Sequence, residues 1–198
     1  LEIQKPLTTI EDMASCLSKL SIHLSAEDWF GKALEKEDIK KFIMEHFTVS
    51  WEYWYRFQIP YLTRHRTFFG DIESWNVWGS IGLVQIRSVI EDINNNVSSL
   101  PKNYTDFFLY TLRHKPKRGI NASSIADISS IPRATVIRKL KTLEKNKHIM
   151  RNKKLEYFMG PNRENLKGFE KNYLINQRRW SDYCTTMFNL MKFSKFSI

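Results

Sequence analysis

The stretch that most constrains this 198-residue chain is residues 121–160, NASSIADISS IPRATVIRKL KTLEKNKHIM RNKKLEYFMG, where the one strand signal follows directly on two short helical patterns. Ser123 or Ser124 is the expected cap of a helix of about two turns, Ile125 to Ser129, and Ser129-Ser130-Ile131 reads as a tight turn. Pro132 then stands where a second helix starts, its fixed φ suited to the first helical position. Within that helix Val136, Leu140 and Leu143 share one face, which Ile125 and Ile131 complete as a small core. Opposite lie Ala134, Arg138, Lys141, Thr142 and Lys145, with Arg133 and Thr135 in the exposed first turn. Ile149-Met150-Arg151, the polar turn Asn152-Lys153-Lys154 and Leu155-Glu156-Tyr157-Phe158-Met159 predict a β-hairpin with a basic tip.

Charge marks the same region. The chain carries +10 overall, which points to an anionic partner, nucleic acid before membrane surface. Residues 1–100 hold 10 Lys+Arg and 14 Asp+Glu, a net of −4, whereas residues 101–180 hold 19 and 6, a net of +13. The basic character therefore belongs to one stretch. With 42% hydrophobic residues the chain can build a core, which rules out wholesale disorder. Its apolar runs are short, as at Ile81-Gly82-Leu83-Val84, so no membrane partner is expected. The chain opens on Leu1 rather than Met, as a chain lacking a short N-terminal piece would, and shows no basic-then-apolar leader. Cys16 and Cys184 have neither metal nor redox spacing; they read as buried thiols in a reducing, cytoplasmic setting.

Elsewhere the pattern is helical. Thr8-x-x-Glu11 and Ser25-x-x-Asp28 resemble capping boxes and predict helices beginning near residues 9 and 26. Residues 37–69 are helical and aromatic-rich, with Pro60 as the expected kink or break. Gly70-Asp71 reads as a helix end and a new cap, opening a long helix over residues 72–97 with Gly79 and Gly82 on a small face. The breakers Asn94-Asn95-Asn96 and Ser98-Ser99-Leu100-Pro101 mark the expected domain boundary. A helix over residues 104–113 and a basic turn, Lys115-Pro116-Lys117-Arg118-Gly119, lead into the segment above. The last helix, residues 164–192, repeats every seven residues: Leu166, Tyr173, Trp180 and Met187 at one position, and Phe169, Asn176, Tyr183 and Leu190 at the other. The expectation is a mainly α chain in three parts. These are a helical N-terminal domain (1–100) for dimerisation and sensing, a reader with a small hairpin wing (101–160), and a C-terminal dimerisation helix (161–198).

A helix with an apolar back and a front of small, hydroxyl and arginine side chains suits a DNA major groove. Residues 103–160 resemble the winged helix-turn-helix of bacterial transcription regulators. Ile131-Pro132-Arg133-Ala134-Thr135-Val136, the spacing of Arg138, Leu140, Leu143 and Glu144, and the closing Tyr157-Phe158-Met159-Gly160 look like the IclR-type reader module. The surrounding plan is similar to the MarR family, with long flanking helices that make a dimer. Asn146-Lys147 departs from the pattern, occupying the place where such modules put a glycine before the wing strand. The resemblance implies a transcription regulator acting as a homodimer on double-stranded DNA. Arg133, Ala134, Thr135 and Arg138 would read bases, and Lys115, Lys117, Arg118, Ser124, Lys139, Lys141, Arg151, Lys153 and Lys154 would meet phosphates. The rival readings are a winged-helix adaptor for an acidic protein partner and an RNA-binding or replication-initiation protein.

Residues 51–78 hold ten aromatics, among them Trp51, Trp54, Trp75 and Trp78. A sensor pocket for a small-molecule effector is one reading; a core or dimer interface is the commoner origin of such clustering. Arg64-His65-Arg66 adds charge that could meet a ligand carboxylate or a phosphate, although a solvated helix surface is the commoner explanation. The five histidines show no i,i+4 pairing, so neither metal nor cofactor is expected. No Gly-rich phosphate loop, carboxylate pair or nucleophile motif suggests an enzyme.

Overall fold

The computed structural model describes residues 4–26, 32–95, 104–113, 118–160 and 163–194. Within them the chain is mainly helical. Its elements are α1 (Gln4–Ala26), α2 (Lys36–Glu45), α3 (Phe47–Phe69), α4 (Ile72–Asn95), α5 (Tyr104–Arg113), α6 (Ala122–Ser129), α7 (Arg133–Lys145), β1 (Ile149–Arg151), β2 (Tyr157–Met159) and α8 (Arg163–Phe193). The two strands form an antiparallel pair with Met150 opposite Phe158. The chain divides into two compact units, one of residues 1–61 with 175–198 and one of residues 62–174.

In the first unit α1 and α2 pack against each other. Ile10, Met13, Ala14 and Leu17 meet Ile39, Phe42 and Ile43, with Tyr183, Met187, Phe188 and Met191 of α8 closing the core. That stripe continues α1 from Gln4 to Ala26, so Thr8 and Ser25 lie inside one helix rather than capping two. Asp28, the far end of the second expected box, lies outside the described residues. The incoming chain is pinned at Leu34, whose N–H donates to the buried Ser21 hydroxyl (2.8 Å) while its carbonyl accepts from Ser18 Oγ (2.9 Å).

Between residues 37 and 69 the helix breaks at His46 and not at Pro60, which α3 passes through. A proline inside a helix costs about 3 kcal/mol, and aromatic packing on both sides of it offsets that. Phe57 lies against Trp180 and Tyr183, with ring centroids 5.2 and 6.2 Å apart. Beyond the proline, Phe69 and His65 pack on Trp75 at 5.5 and 3.8 Å.

The second unit is built around α4. Its Val77, Trp78, Ile81 and Val89 are buried, and the first three share a cluster with Ile125, Ile131, Val136, Leu140, Leu143, Ile149 and Met159. The sequence placed this helix on the N-terminal side of a boundary near residues 94–101; its packing puts it with residues 118–160 instead. The reason is size, since two short helices and a hairpin leave one apolar side uncovered and α4 covers it. The start of α4 is as read: Gly70 takes φ +86°, and Asp71 accepts the Ser74 N–H at 2.7 Å. The seven-residue seam of α8 is occupied within the chain, with Asn176 and Tyr183 buried, Met187 fully so, and Tyr173 packed on the second unit's core. The side chains of Leu166 and Phe169 lie outside the described residues.

Candidate nucleic-acid interface

α6 starts two to three residues earlier than expected, because Asn121 is its cap: its Oδ1 accepts the Ser124 N–H at 2.9 Å. Asparagine is as good a cap as serine, so the signal was present in the sequence. Ser123 takes another role. Its hydroxyl accepts from Arg133 Nε at 3.1 Å, tying the first turn of α7 back to α6. The connection turns at Ser130, which adopts the left-handed conformation at φ +54°, and Ser129 Oγ accepts the Ile131 N–H (3.4 Å). Pro132 is the residue before the helix, and α7 begins at Arg133.

α7 is two-faced as its periodicity demands. Val136, Leu140 and Leu143 are at most 1% exposed, while Arg133, Ala134, Arg138 and Lys141 face solvent and Thr135 is half-buried. The helix ends on two bonds, Lys147 N–H to the Glu144 carbonyl (3.0 Å) and His148 N–H to the Leu143 carbonyl (2.9 Å), with Lys147 at φ +57°. This is the helix stop that normally employs glycine. The departure at Asn146-Lys147 therefore leaves the turn intact, with a lysine in a left-handed conformation.

The hairpin tip is held by one side chain. Asn152 Oδ1 accepts the N–H groups of Lys154 (2.9 Å) and Glu156 (3.0 Å), and its Nδ2 donates to Glu156 Oε2 (2.8 Å). Lys153 and Lys154 are exposed on this fixed turn. The outer edge of β2 is covered. Tyr157 exchanges bonds with Ile120 (2.8 and 3.3 Å), and the Met159 N–H donates to Oε1 of the buried Gln85 on α4 (2.9 Å). Gln85 Nε2 in turn donates to the Thr111 carbonyl in the last turn of α5 (2.5 Å). Gly160 follows the strand where an added Cβ would come within 2.5 Å of the Lys147 carbonyl oxygen. Nothing local in the sequence marks Gln85 as the bridge, because its partner Met159 lies 74 residues away.

One residue expected at a phosphate is engaged within the fold. Lys139 is 13% exposed and pairs with Asp71 Oδ2 (2.8 Å) and Glu73 Oε2 (3.1 Å) at the start of α4. Burial pulls its ammonium down, but the two carboxylates outweigh this and its pKa stands above the ordinary lysine value. Asp71 shifts the other way: burial raises it, and the hydrogen bonds from Lys139 and Ser74 lower it further than burial raises it. Lys139 thus fastens α7 to α4. Arg151 Nε lies 3.3 Å from Glu144 Oε1 with its side chain 43% exposed. Ser124 is half-buried, its amide engaged by the cap, and Arg118 is exposed. Lys115 and Lys117 lie outside the described residues.

Trp51 and Trp54 pack on the first unit's core, and Trp75 and Trp78 belong to the second's. His65 is no solvated surface residue, being 4% exposed and stacked on Trp75; burial, with the neighbouring Arg64 charge, lowers its pKa to about 4. Among the described residues no group of three or more His, Cys, Asp and Glu could hold a metal, and no helix is long and apolar enough to cross a membrane. Protein-family models, curated proteins and solved structures were compared with this chain, and none matches.

Proposed function

We propose that residues 104–160 form a winged helix-turn-helix, and that the chain is a cytoplasmic transcription regulator binding double-stranded DNA sequence-specifically as a homodimer. The supporting order is helix α5, a bridge strand at Ile120, α6, a tight turn, α7 and a two-stranded hairpin. The observation that carries the reading is the outer face of α7. It presents Arg133, Ala134 and Arg138 to solvent over a fully buried back, and the hairpin tip, closed by Asn152, bears the exposed Lys153 and Lys154. Ala134 would let the helix approach the floor of a major groove, and Arg133 and Arg138 would reach guanine edges. Arg118, Lys141, Lys153 and Lys154, with Lys115 and Lys117, would meet phosphates. Two readers related by a two-fold axis would sit about 34 Å apart on a palindromic site.

Fluorescence anisotropy with genomic fragments tests this. With about six phosphates engaged by each reader, log K falls against log salt with a slope near −5 per reader, or about −11 for the dimer. A flat salt dependence, or equal affinity for every duplex, refutes sequence-specific binding. Selective binding to an acidic protein instead would favour the adaptor.

A further inference from the structure

Between α4 and α6 lies a cleft of about 400 Å³, wide open to solvent. Its walls are the Trp75 ring, Leu83 and Ile128, the latter two 42% and 49% exposed, so apolar surface stands in water on both sides. The floor is Gly79, where an added Cβ would meet nothing within 4 Å and a flat body can lie against the helix backbone. The polar lining consists of Asn76, Ser80 and Ser129, and no charged side chain borders the space. His65 stacks on the Trp75 ring at 3.8 Å with an interplanar angle of 10°, which holds that wall in place.

We infer that this cleft is an effector site for an uncharged, flat, largely apolar molecule with a hydrogen-bonding group. The lining decides the ligand class: aromatic and aliphatic walls favour an apolar ring, the Asn76 carboxamide can orient one polar group, the Ser80 and Ser129 hydroxyls already donate to the Asn76 and Ile125 carbonyls, and nothing compensates a charge. The cleft also touches the reader's turn. Ser129 Oγ donates to the Ile125 carbonyl (2.7 Å) and accepts the Ile131 N–H (3.4 Å), immediately beside the left-handed Ser130. A ligand pressing on Ile128 and Ser129 therefore bears on the junction that sets the direction of α7. This regulatory consequence rests on the reading of residues 104–160 as a DNA reader; the binding itself does not.

Indole is the probe, titrated into the full chain and followed by thermal shift and by amide resonances. Indole should raise the midpoint and move the Ser129, Ser130 and Ile131 amides. Gly79→Leu fills the floor and should weaken indole binding by about tenfold or more. Leucine is a better helix former than glycine, so the variant's own midpoint should not fall. No response to indole, an undiminished response in Gly79→Leu, or equal binding of indole-3-carboxylate each overturns the site. So does a change from dimer to monomer caused by Gly79→Leu in sedimentation, which would make the cleft an interface between copies. Indole binding by a chain with no DNA affinity would overturn the reader and leave the site standing.

Discussion

Replacing Gln85 with leucine isolates the polar bridge at the centre of the second unit. Gln85 is 2% exposed, donates to the Thr111 carbonyl and accepts the Met159 N–H. The first is one of the carbonyls that the end of α5 leaves without a helical partner, and the second is the β2 amide facing away from β1. Leucine occupies similar volume, so no large cavity opens and the loss is polar. Each buried backbone group left unpaired costs about 1–3 kcal/mol, so losing both partners should remove about 2–6 kcal/mol. That is a large share of the roughly 5–15 kcal/mol that holds a domain folded. Urea unfolding followed by tryptophan fluorescence and far-ultraviolet circular dichroism gives the total. Hydrogen exchange at Met159 locates the effect, since that amide should lose protection before those buried among Val136, Leu140 and Leu143. A loss below about 0.5 kcal/mol, the range of neutral surface changes, would refute the bridge.

Four further outcomes are expected. Lys147→Gly relieves a left-handed lysine and should stabilise by about 0.5–1 kcal/mol, read as a higher urea midpoint at unchanged m. Gly160→Ala drives a Cβ to 2.5 Å from a backbone carbonyl oxygen and should cost about 1–3 kcal/mol by the same measurement. His65 is held neutral in the fold with a pKa of about 4, against about 6.5 unfolded, so the unfolded chain binds the proton first as pH falls. Its contribution is complete above about pH 6.5 and lost towards pH 4, up to about 3 kcal/mol. Urea midpoints across that window should flatten in His65→Phe, and an unchanged slope would sink the assignment. On DNA, Arg138→Ala should cost about 1–3 kcal/mol at the preferred site and relax sequence choice, whereas Lys153→Ala should weaken all duplexes alike and shallow the salt slope by about one.

What was legible in the sequence was local. The buried row of Val136, Leu140 and Leu143, the Gly70-Asp71 punctuation and the hairpin around Asn152-Lys153-Lys154 depend on neighbours a few residues apart. There φ preferences, capping and periodicity act directly. Where two local signals competed, packing decided: α3 continues through Pro60 because aromatic contacts flank it, and α1 overrides Thr8 because its apolar stripe runs on.

Other residues had assignments that no local pattern could supply. A row of apolar or charged side chains shows that one face of a helix is to be covered, not by what. The seven-residue seam of α8 read as a partner's docking face, yet Tyr183 and Met187 are covered by this chain's own helices. Lys139 read as a phosphate contact until Asp71 and Glu73 met it, and Gln85 carried no signal before Thr111 and Met159 closed around it. The sequence by itself determined the helical elements of residues 121–160, the hairpin and where the positive charge lies along the chain. Tertiary structure alone decided which of those charges remain at the surface and which helix completes the core. Burial and pairing are properties of residues distant in sequence, and their energies exist only once the chain has brought them together.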